Sequence, residues 1–320
     1  MIPKITGTGS CSGDRPVSNR DLEQIVETDS EWISTRTGIG NRYLAVRTNI
    51  TQMAAEAARR ACENGHVRPE ELDLILLATS TAEHCVPCGA CEVQAATGAV
   101  NAAAFDINAA CSGFLFALQT AAGFIESGIF RTILVIGADE LSKLTDWTDR
   151  KTCILFGDGA GAVVMTGAGQ GRFHGIMGSD GSRGRVLSCM ARSGGNFLTG
   201  TVPETGYISM DGQEVFRFAV KKVPECVEQL LKEQGVIGEQ IRYYILHQAN
   251  ERIIEAVARR LGEPAEKFPM NIQRYGNTSA ASIPILLDEM NREGKLDRGD
   301  KLVLAGFGGG LTWGAVLMEW

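Results

Sequence analysis

Apolar and polar positions along this chain switch repeatedly between two patterns. Short, nearly continuous apolar runs, among them Leu72-Asp-Leu-Ile-Leu-Leu-Ala-Thr79, Thr132-Ile-Leu-Val-Ile-Gly-Ala, Ala160-Gly-Ala-Val-Val-Met, Lys301-Leu-Val-Leu-Ala and Thr312-Trp-Gly-Ala-Val-Leu-Met, read as buried strands. Helical spacing predicts helices from about Thr51 to Glu63, from just after Cys111 to about Ser127, from about Glu214 to Glu233, and from just after Asn277 to about Arg292. Phe105-Asp-Ile-Asn leads into the second of these, and Arg242-Tyr-Tyr-Ile-Leu-His247 forms a further strand. The order of strands and helices thus occurs twice, and we expect an α/β fold of two similar halves, residues 1–170 and 171–320. The stretch from Gly171 to Gly206, rich in Gly, Ser and Arg, reads as an irregular excursion between them.

At 320 residues and 44% hydrophobic, the chain is long enough to bury two fused core units. A formal charge of −7 argues against nucleic acid as the main ligand, since phosphate recognition leaves a clustered basic footprint. No apolar run approaches the roughly 20 residues of a membrane span, and the first residues lack a signal-peptide pattern, so a soluble cytoplasmic protein without a membrane partner is expected. Nine scattered cysteines, an odd number, suit a reducing compartment better than a disulfide framework.

Three positions carry candidate chemistry. Cys111 stands in Asp106-Ile-Asn-Ala-Ala-Cys-Ser-Gly-Phe, where a strand gives way to a helix through small residues. At a helix N-terminus the positive dipole end favours a thiolate, so a lowered pKa and a nucleophilic sulfur are expected. His247 ends an apolar strand in Leu246-His-Gln-Ala-Asn250. Asn277 opens a helix in Tyr275-Gly-Asn-Thr-Ser-Ala-Ala-Ser282, where capping by Thr278 or Ser279 would leave its carboxamide free to donate elsewhere. The glycine clusters Gly157–Gly161 and Phe307–Gly310 lack phosphate-loop spacing and read as tight turns beside the site.

Those three segments resemble the active-site motifs of the β-ketoacyl-acyl carrier protein synthase III family. The resemblance extends through Thr28-Asp-Ser-Glu-Trp-Ile-Ser-Thr-Arg-Thr-Gly-Ile39, Phe156-Gly-Asp-Gly-Ala-Gly-Ala162, Asp211-Gly-Gln-Glu-Val-Phe216 and Phe307-Gly-Gly-Gly-Leu-Thr-Trp-Gly314. It implies a homodimer with a thiolase-like, five-layered αβαβα core. It also implies an acyltransferase that condenses a short acyl-CoA with malonyl-acyl carrier protein in fatty acid synthesis. No bound cofactor or metal is implied, the CoA thioester being substrate. By the same resemblance Cys111 takes the acyl group, and His247 and Asn277 hold the thioester carbonyl of the malonyl unit. Gly309 joins the Cys111 backbone in an oxyanion hole, and Phe307 is the aromatic beside the cysteine. Thr28, Trp32, Arg36 and Arg150 would contact CoA, while Phe216, Asn250 and Ile253 would line the pantetheine tunnel. Arg217 and Arg252 would receive an acidic carrier protein.

Elongating relatives place a second histidine where this chain has Asn277, and thiolases carry a second cysteine beside the final glycines, where Gly308, Gly309 and Gly310 have none. A priming ketosynthase of a polyketide pathway and an inactive partner subunit remain rival readings. One stretch departs from the family pattern: Glu83-His84-Cys85-Val86-Pro87-Cys88-Gly89-Ala90-Cys91 has Val86 where the family often places Phe at the floor of the partner's acyl pocket. A wider pocket is expected. The Cys-x2-Cys-x2-Cys spacing of Cys85, Cys88 and Cys91, with His84 as a fourth ligand, raises a metal or redox site as another rival, although no fourth thiolate follows nearby.

Overall fold

The computed structural model describes residues 1–190, 194, 198, 200 and 206–320. Two sheets are built on one plan. In the first, Ile2–Ser12 runs antiparallel to Asp158–Ala168, which runs antiparallel to Thr132–Glu140; parallel strands Leu74–Ala78 and Ala103–Ile107 complete it. In the second, Phe173–Ser179 is antiparallel to Thr312–Glu319, Thr312–Glu319 to Lys301–Gly308, and the last of these is parallel to Tyr243–Leu246. The first four strand roles repeat, and the fold is thiolase-like with two pseudo-duplicated halves.

Five layers follow from where each helix hides its apolar side. Gly113–Ser127 and Ser282–Arg292 lie between the sheets, sharing one core with residues of both, among them Leu76, Val135, Leu304 and Val316. A helix covered on both sides must be apolar nearly all round, as Gly-Phe-Leu-Phe-Ala-Leu from Gly113 and Ile-Pro-Ile-Leu-Leu from Ile283 are. Each large side chain buried there contributes about 1.5–3 kcal/mol. Ile50–Asn64, begun by a capping box between Asn49 and Gln52, and Gly89–Thr97 cover the outer face of the first sheet. Gly212–Gln234 and Glu251–Leu261 cover that of the second. Among the described residues no helix is long and apolar enough to cross a membrane.

Three local expectations are corrected. Phe173–Ser179, assigned to the irregular excursion, is an edge strand. Its glycines let neighbours lie flat on it, since a Cβ at Gly175 would meet Gln119 at 2.3 Å and one at Gly178 would meet Trp313 at 2.4 Å. Leu187–Cys189 and Ile208–Met210 pair as a small ribbon, and the remainder of that excursion lies in part outside the described residues. Gly159 and Gly161 sit within the strand Asp158–Ala168 rather than in a turn. Thr278 and Ser279 cap nothing: the helix at Ser282 follows a short 3-10 turn, Ser279–Ala281, and has no side-chain cap.

Candidate active site

Cys111 lies in a 3-10 turn, Ala110–Ser112, that feeds the central helix at Gly113. His247 follows the strand Tyr243–Leu246, and Asn277 is tied by Gly157 N–H to its carbonyl (3.0 Å) and by its own N–H to the Leu155 carbonyl (2.9 Å). The strand Lys301–Gly308 runs past two of them on one face. A Cβ at Gly306 would come within 2.9 Å of the His247 Cβ, and one at Gly308 within 2.7 Å of the Cys111 nitrogen. Positions two apart on a strand are separated by about 7 Å, which sets the spacing of the imidazole and the sulfur segment. Glycine at both positions is what permits that approach.

The turn after Asn277 joins all three. The carboxamide oxygen of Asn277 accepts from the Ser279 N–H at 2.9 Å, and the Ser279 hydroxyl stands near both the Cys111 thiol and the Asp139 carboxylate. Ser282, at the end of the same turn, lies 2.7 Å from His247 Nδ1. Asn277 therefore keeps its amide N–H2 available, because its oxygen alone is used locally.

Electrostatics reverse one expectation. Burial pushes the Cys111 thiol up to about 12, with the charge of Asp139 adding to it, and the Ser279 hydroxyl opposes both without overcoming them. The dipole of a helix end acts locally, whereas desolvation depends on everything packed around the sulfur. The thiol is neutral at rest. Burial likewise pushes His247 down to about 3, so the imidazole is neutral too.

The tautomer of His247 follows from its neighbours. Ser282 Oγ accepts from the Gln248 N–H at 3.3 Å, and the acceptor available to its own proton is His247 Nδ1. Nδ1 then accepts, and Nε2 carries the hydrogen. That Nε2 is buried without a partner, one of three such side-chain atoms among the described residues. A buried donor left unpaired is costly, and an oxyanion beside it would be strongly held. Phe307 packs edge-on to the imidazole with ring centroids 5.5 Å apart.

Other expected residues fall into groups. Gly309 borders the Cys111 segment, a Cβ there lying 3.6 Å from the Ala110 Cβ. Trp32 has the Arg150 guanidinium 4.9 Å and that of Arg36 5.6 Å from its ring centre. Thr28 Oγ1 is a second buried, partnerless atom. Asn250 caps the helix Glu251–Leu261 and donates to the Arg36 carbonyl at 3.1 Å, linking that cluster to the His247 strand. Ile253 lines a narrow apolar crevice that also touches His247 and Phe307, whereas half-buried Phe216 packs at the edge of the outer core. Arg217 pairs with Glu214, Arg252 is exposed, and Val86 is 87% exposed. Among the described residues no group of three or more His, Cys, Asp or Glu side chains is arranged to hold a metal ion.

Sequence reasoning missed Ser279, Ser282 and Asp139. The last is a buried carboxylate that accepts from Thr79 Oγ1 (3.2 Å), Ser80 N–H (2.8 Å), Thr81 Oγ1 (3.0 Å) and Ala280 N–H (3.4 Å), fixing the Asn277 turn to the first sheet.

Residues 105–181 match the family described as 3-oxoacyl-[acyl-carrier-protein] synthase III, and residues 231–320 match its C-terminal part. The β-ketoacyl-[acyl-carrier-protein] synthase III of Clostridium acetobutylicum is 48% identical over 322 residues, spanning 99% of this chain and 98% of that one. This chain belongs to the 3-oxoacyl-[acyl-carrier-protein] synthase III family. The synthase III crystal structure from Aquifex aeolicus VF5 superposes with a TM-score of 0.93 at 48% identity, covering 99% of this chain and all of the other. The priming β-ketosynthase of the R1128 polyketide pathway matches with a TM-score of 0.92 but at 34% identity, over 99% of this chain and 96% of its own. Synthase III is thus favoured over the polyketide reading, and the chain is an acyltransferase.

Proposed function

We propose that this synthase III condenses a short acyl-CoA with malonyl-acyl carrier protein, giving 3-oxoacyl-acyl carrier protein, CoA and carbon dioxide at the start of fatty acid synthesis. The observation that carries this reading is the turn from Asn277 to Ser282, which contacts both the Cys111 thiol and the His247 ring. In the first step Cys111 Sγ attacks the acyl-CoA carbonyl carbon, the thiol proton leaves with CoA, and the N–H groups of Cys111 and Gly309 receive the oxyanion. In the second, the malonyl unit loses carbon dioxide, and its enolate oxygen accepts from His247 Nε2–H and the Asn277 amide. Each such donor is commonly worth about 3–4 kcal/mol in the transition state. The enolate carbon then attacks the acyl-Cys111 carbonyl and expels the Cys111 thiolate, which takes a proton from solvent to restore the thiol. Apolar Phe307 disfavours the malonyl carboxylate and so assists its loss. The scheme uses no metal or prosthetic group.

Acylating the protein with radiolabelled acyl-CoA and mapping the digest tests this: label belongs on the Cys111 peptide, and label elsewhere would sink it. Trp32 with Arg150 is the proposed adenine clamp, supported by their contact and by the unpaired Thr28 hydroxyl nearby. An inserted ring needs a van der Waals contact on each face, so the pair must open to about 7 Å. Arg36 joins that cluster, Phe216, Asn250 and Ile253 line the pantetheine path, and Arg217 and Arg252 receive the carrier protein. The halves divide near residue 170, between the last strand of the first sheet and the first strand of the second. Nine unlinked thiols fit a reducing, cytoplasmic setting.

A homodimer is supported by the open edge of Ala103–Ile107, where Phe105 is 38% exposed, and by the nearby exposed Val86. With Val86 at the floor of the partner's acyl pocket, branched and longer primers should rival acetyl-CoA. Val86→Phe is expected to cut kcat/KM for a branched acyl-CoA by roughly 10–100-fold while sparing acetyl-CoA. Equal losses for all primers would remove Val86 from the pocket.

Ser282 is a positioning residue in this scheme. Ser282→Ala is expected to slow condensation about 10–100-fold by releasing the wrong imidazole tautomer, with Cys111 acylation unchanged and partial rescue by Ser282→Thr. An equal fall in both half-reactions would mean only general damage.

A further inference from the structure

Cys88-Gly-Ala-Cys91 begins the helix Gly89–Thr97. Cys88 is its N-cap, yet its side chain makes no capping hydrogen bond. The Cys91 N–H closes the first turn on the Cys88 carbonyl at 3.0 Å, which brings the two sulfurs to 3.4 Å. A disulfide needs about 2.05 Å, so closure asks for side-chain rotation and little more. Both thiols are half-buried and neither enters the chemistry assigned to Cys111.

We infer that Cys88 and Cys91 form a redox-active dithiol that closes to an intramolecular disulfide by exchange with a low-molecular-weight disulfide, Cys111 staying reduced. Cys88, as thiolate, attacks one sulfur of the small disulfide and expels one thiolate. Cys91 then attacks the Cys88 sulfur of the mixed disulfide and expels the second. The two protons shed by the protein thiols leave on two small thiols, and the protein pair is oxidised by two electrons.

The surroundings define what kind of couple this is. Gly89 and Ala90 N–H groups, which would stabilise a thiolate at a helix start, both donate to the Asp106 carboxylate, at 2.8 and 2.7 Å. Its negative charge occupies the positive helix end. The Cys91 thiol is accordingly held above its ordinary value, first by its hydrogen bond with Cys88, then by burial and by the charges of Cys88 and Asp106. Dithiols that gain little as thiolates make reducing couples, whose disulfides form slowly near neutrality, faster as pH rises, and resist reduction once made. Cys111 is protected in the same solution because its thiol, pushed up to about 12, stays neutral.

The reduced, full-length protein is incubated with oxidised glutathione at increasing pH, its thiols are counted, and it is peptide-mapped without reduction. Apart from adducts on the exposed Cys85 and Cys189, two thiols should disappear together, at a rate that rises with pH, and the map should show a Cys88–Cys91 link within one chain. Cys91→Ser should trap glutathione on Cys88. Cys88→Ser should show neither product, and serine at an N-cap is favoured, so that variant folds. A stable glutathione adduct on Cys88 or Cys91 of the parent, a link between chains, or a link through Cys111 would overturn the inference. Counting thiols does not depend on turnover, so failure here leaves the condensing reaction untouched.

Discussion

Cys111→Ser is expected to lower condensation by at least about 10⁴-fold while the protein folds as before. The hydroxyl fits where the thiol sat, beside Gly308 and Ser279, so packing is not the cause. What is lost is a polarizable nucleophile that forms a thioester of the same energy as the one it cleaves. Retained condensation at the parent rate would refute the assignment. The same residue carries a pH signature in the parent enzyme. With burial and then Asp139 holding the thiol up at about 12, its thiolate fraction grows tenfold per pH unit throughout the range in which the protein is handled. Alkylation of Cys111 by iodoacetamide in the absence of substrate should therefore accelerate by about tenfold per unit between about pH 7 and 9. A rate that levels off near neutrality would show a stabilised thiolate instead.

The strands that were legible in the sequence are those covered on both sides. Leu74–Ala78 and most of Thr132–Glu140 are buried throughout, and burial on both faces writes an unbroken apolar run. Ile2–Ser12 and Phe173–Ser179 went unread as strands because they are built largely from Gly, Ser, Thr and a few apolar residues, whereas Tyr243–Leu246, also at a sheet edge, shows an apolar run. Their conformation is set by pairing with Asp158–Ala168 and Thr312–Glu319, partners that no local window contains. The helix Glu251–Leu261 also escaped, although Asn250 caps it and Gly262 ends it in the left-handed region.

For the site, residue type at strand-to-helix junctions singled out Cys111, His247 and Asn277, and the structure brings those segments together. The groups that orient them could not be read the same way. Ser282 meets His247 across 35 residues and Asp139 meets Ala280 across 141, so each looks like an ordinary small or acidic residue until the halves pack. The direction of the Cys111 shift was misjudged for a related reason: a helix terminus is visible locally, but the low dielectric that outweighs it is a property of the assembled core.

His247→Ala is the other large effect, an expected loss of about 10²–10³-fold in condensation. Acylation of Cys111 from acyl-CoA should survive, because the Nε2–H serves the malonyl enolate and not the first thioester exchange. Loss of both steps together would assign the imidazole to general base work on Cys111. The pH dependence separates these roles further. Burial holds His247 down at about 3, so above roughly pH 5 the ring stays neutral and its titration adds no limb to the rate profile. Its effect is on stability. Unfolded, the same histidine titrates near its unperturbed value of about 6.5, so between about 3 and 6.5 the unfolded chain binds a proton that the folded one refuses. The contribution is therefore fully present above about pH 6.5 and is lost as pH falls toward about 3. Urea midpoints measured at pH 7 and pH 5 should fall more steeply for the parent than for His247→Gln, which cannot take up that proton. Parallel slopes would mean that the ring is already protonated in the folded enzyme, and a charged imidazole would have to be reconciled with an apolar neighbour, Phe307, packed 5.5 Å away.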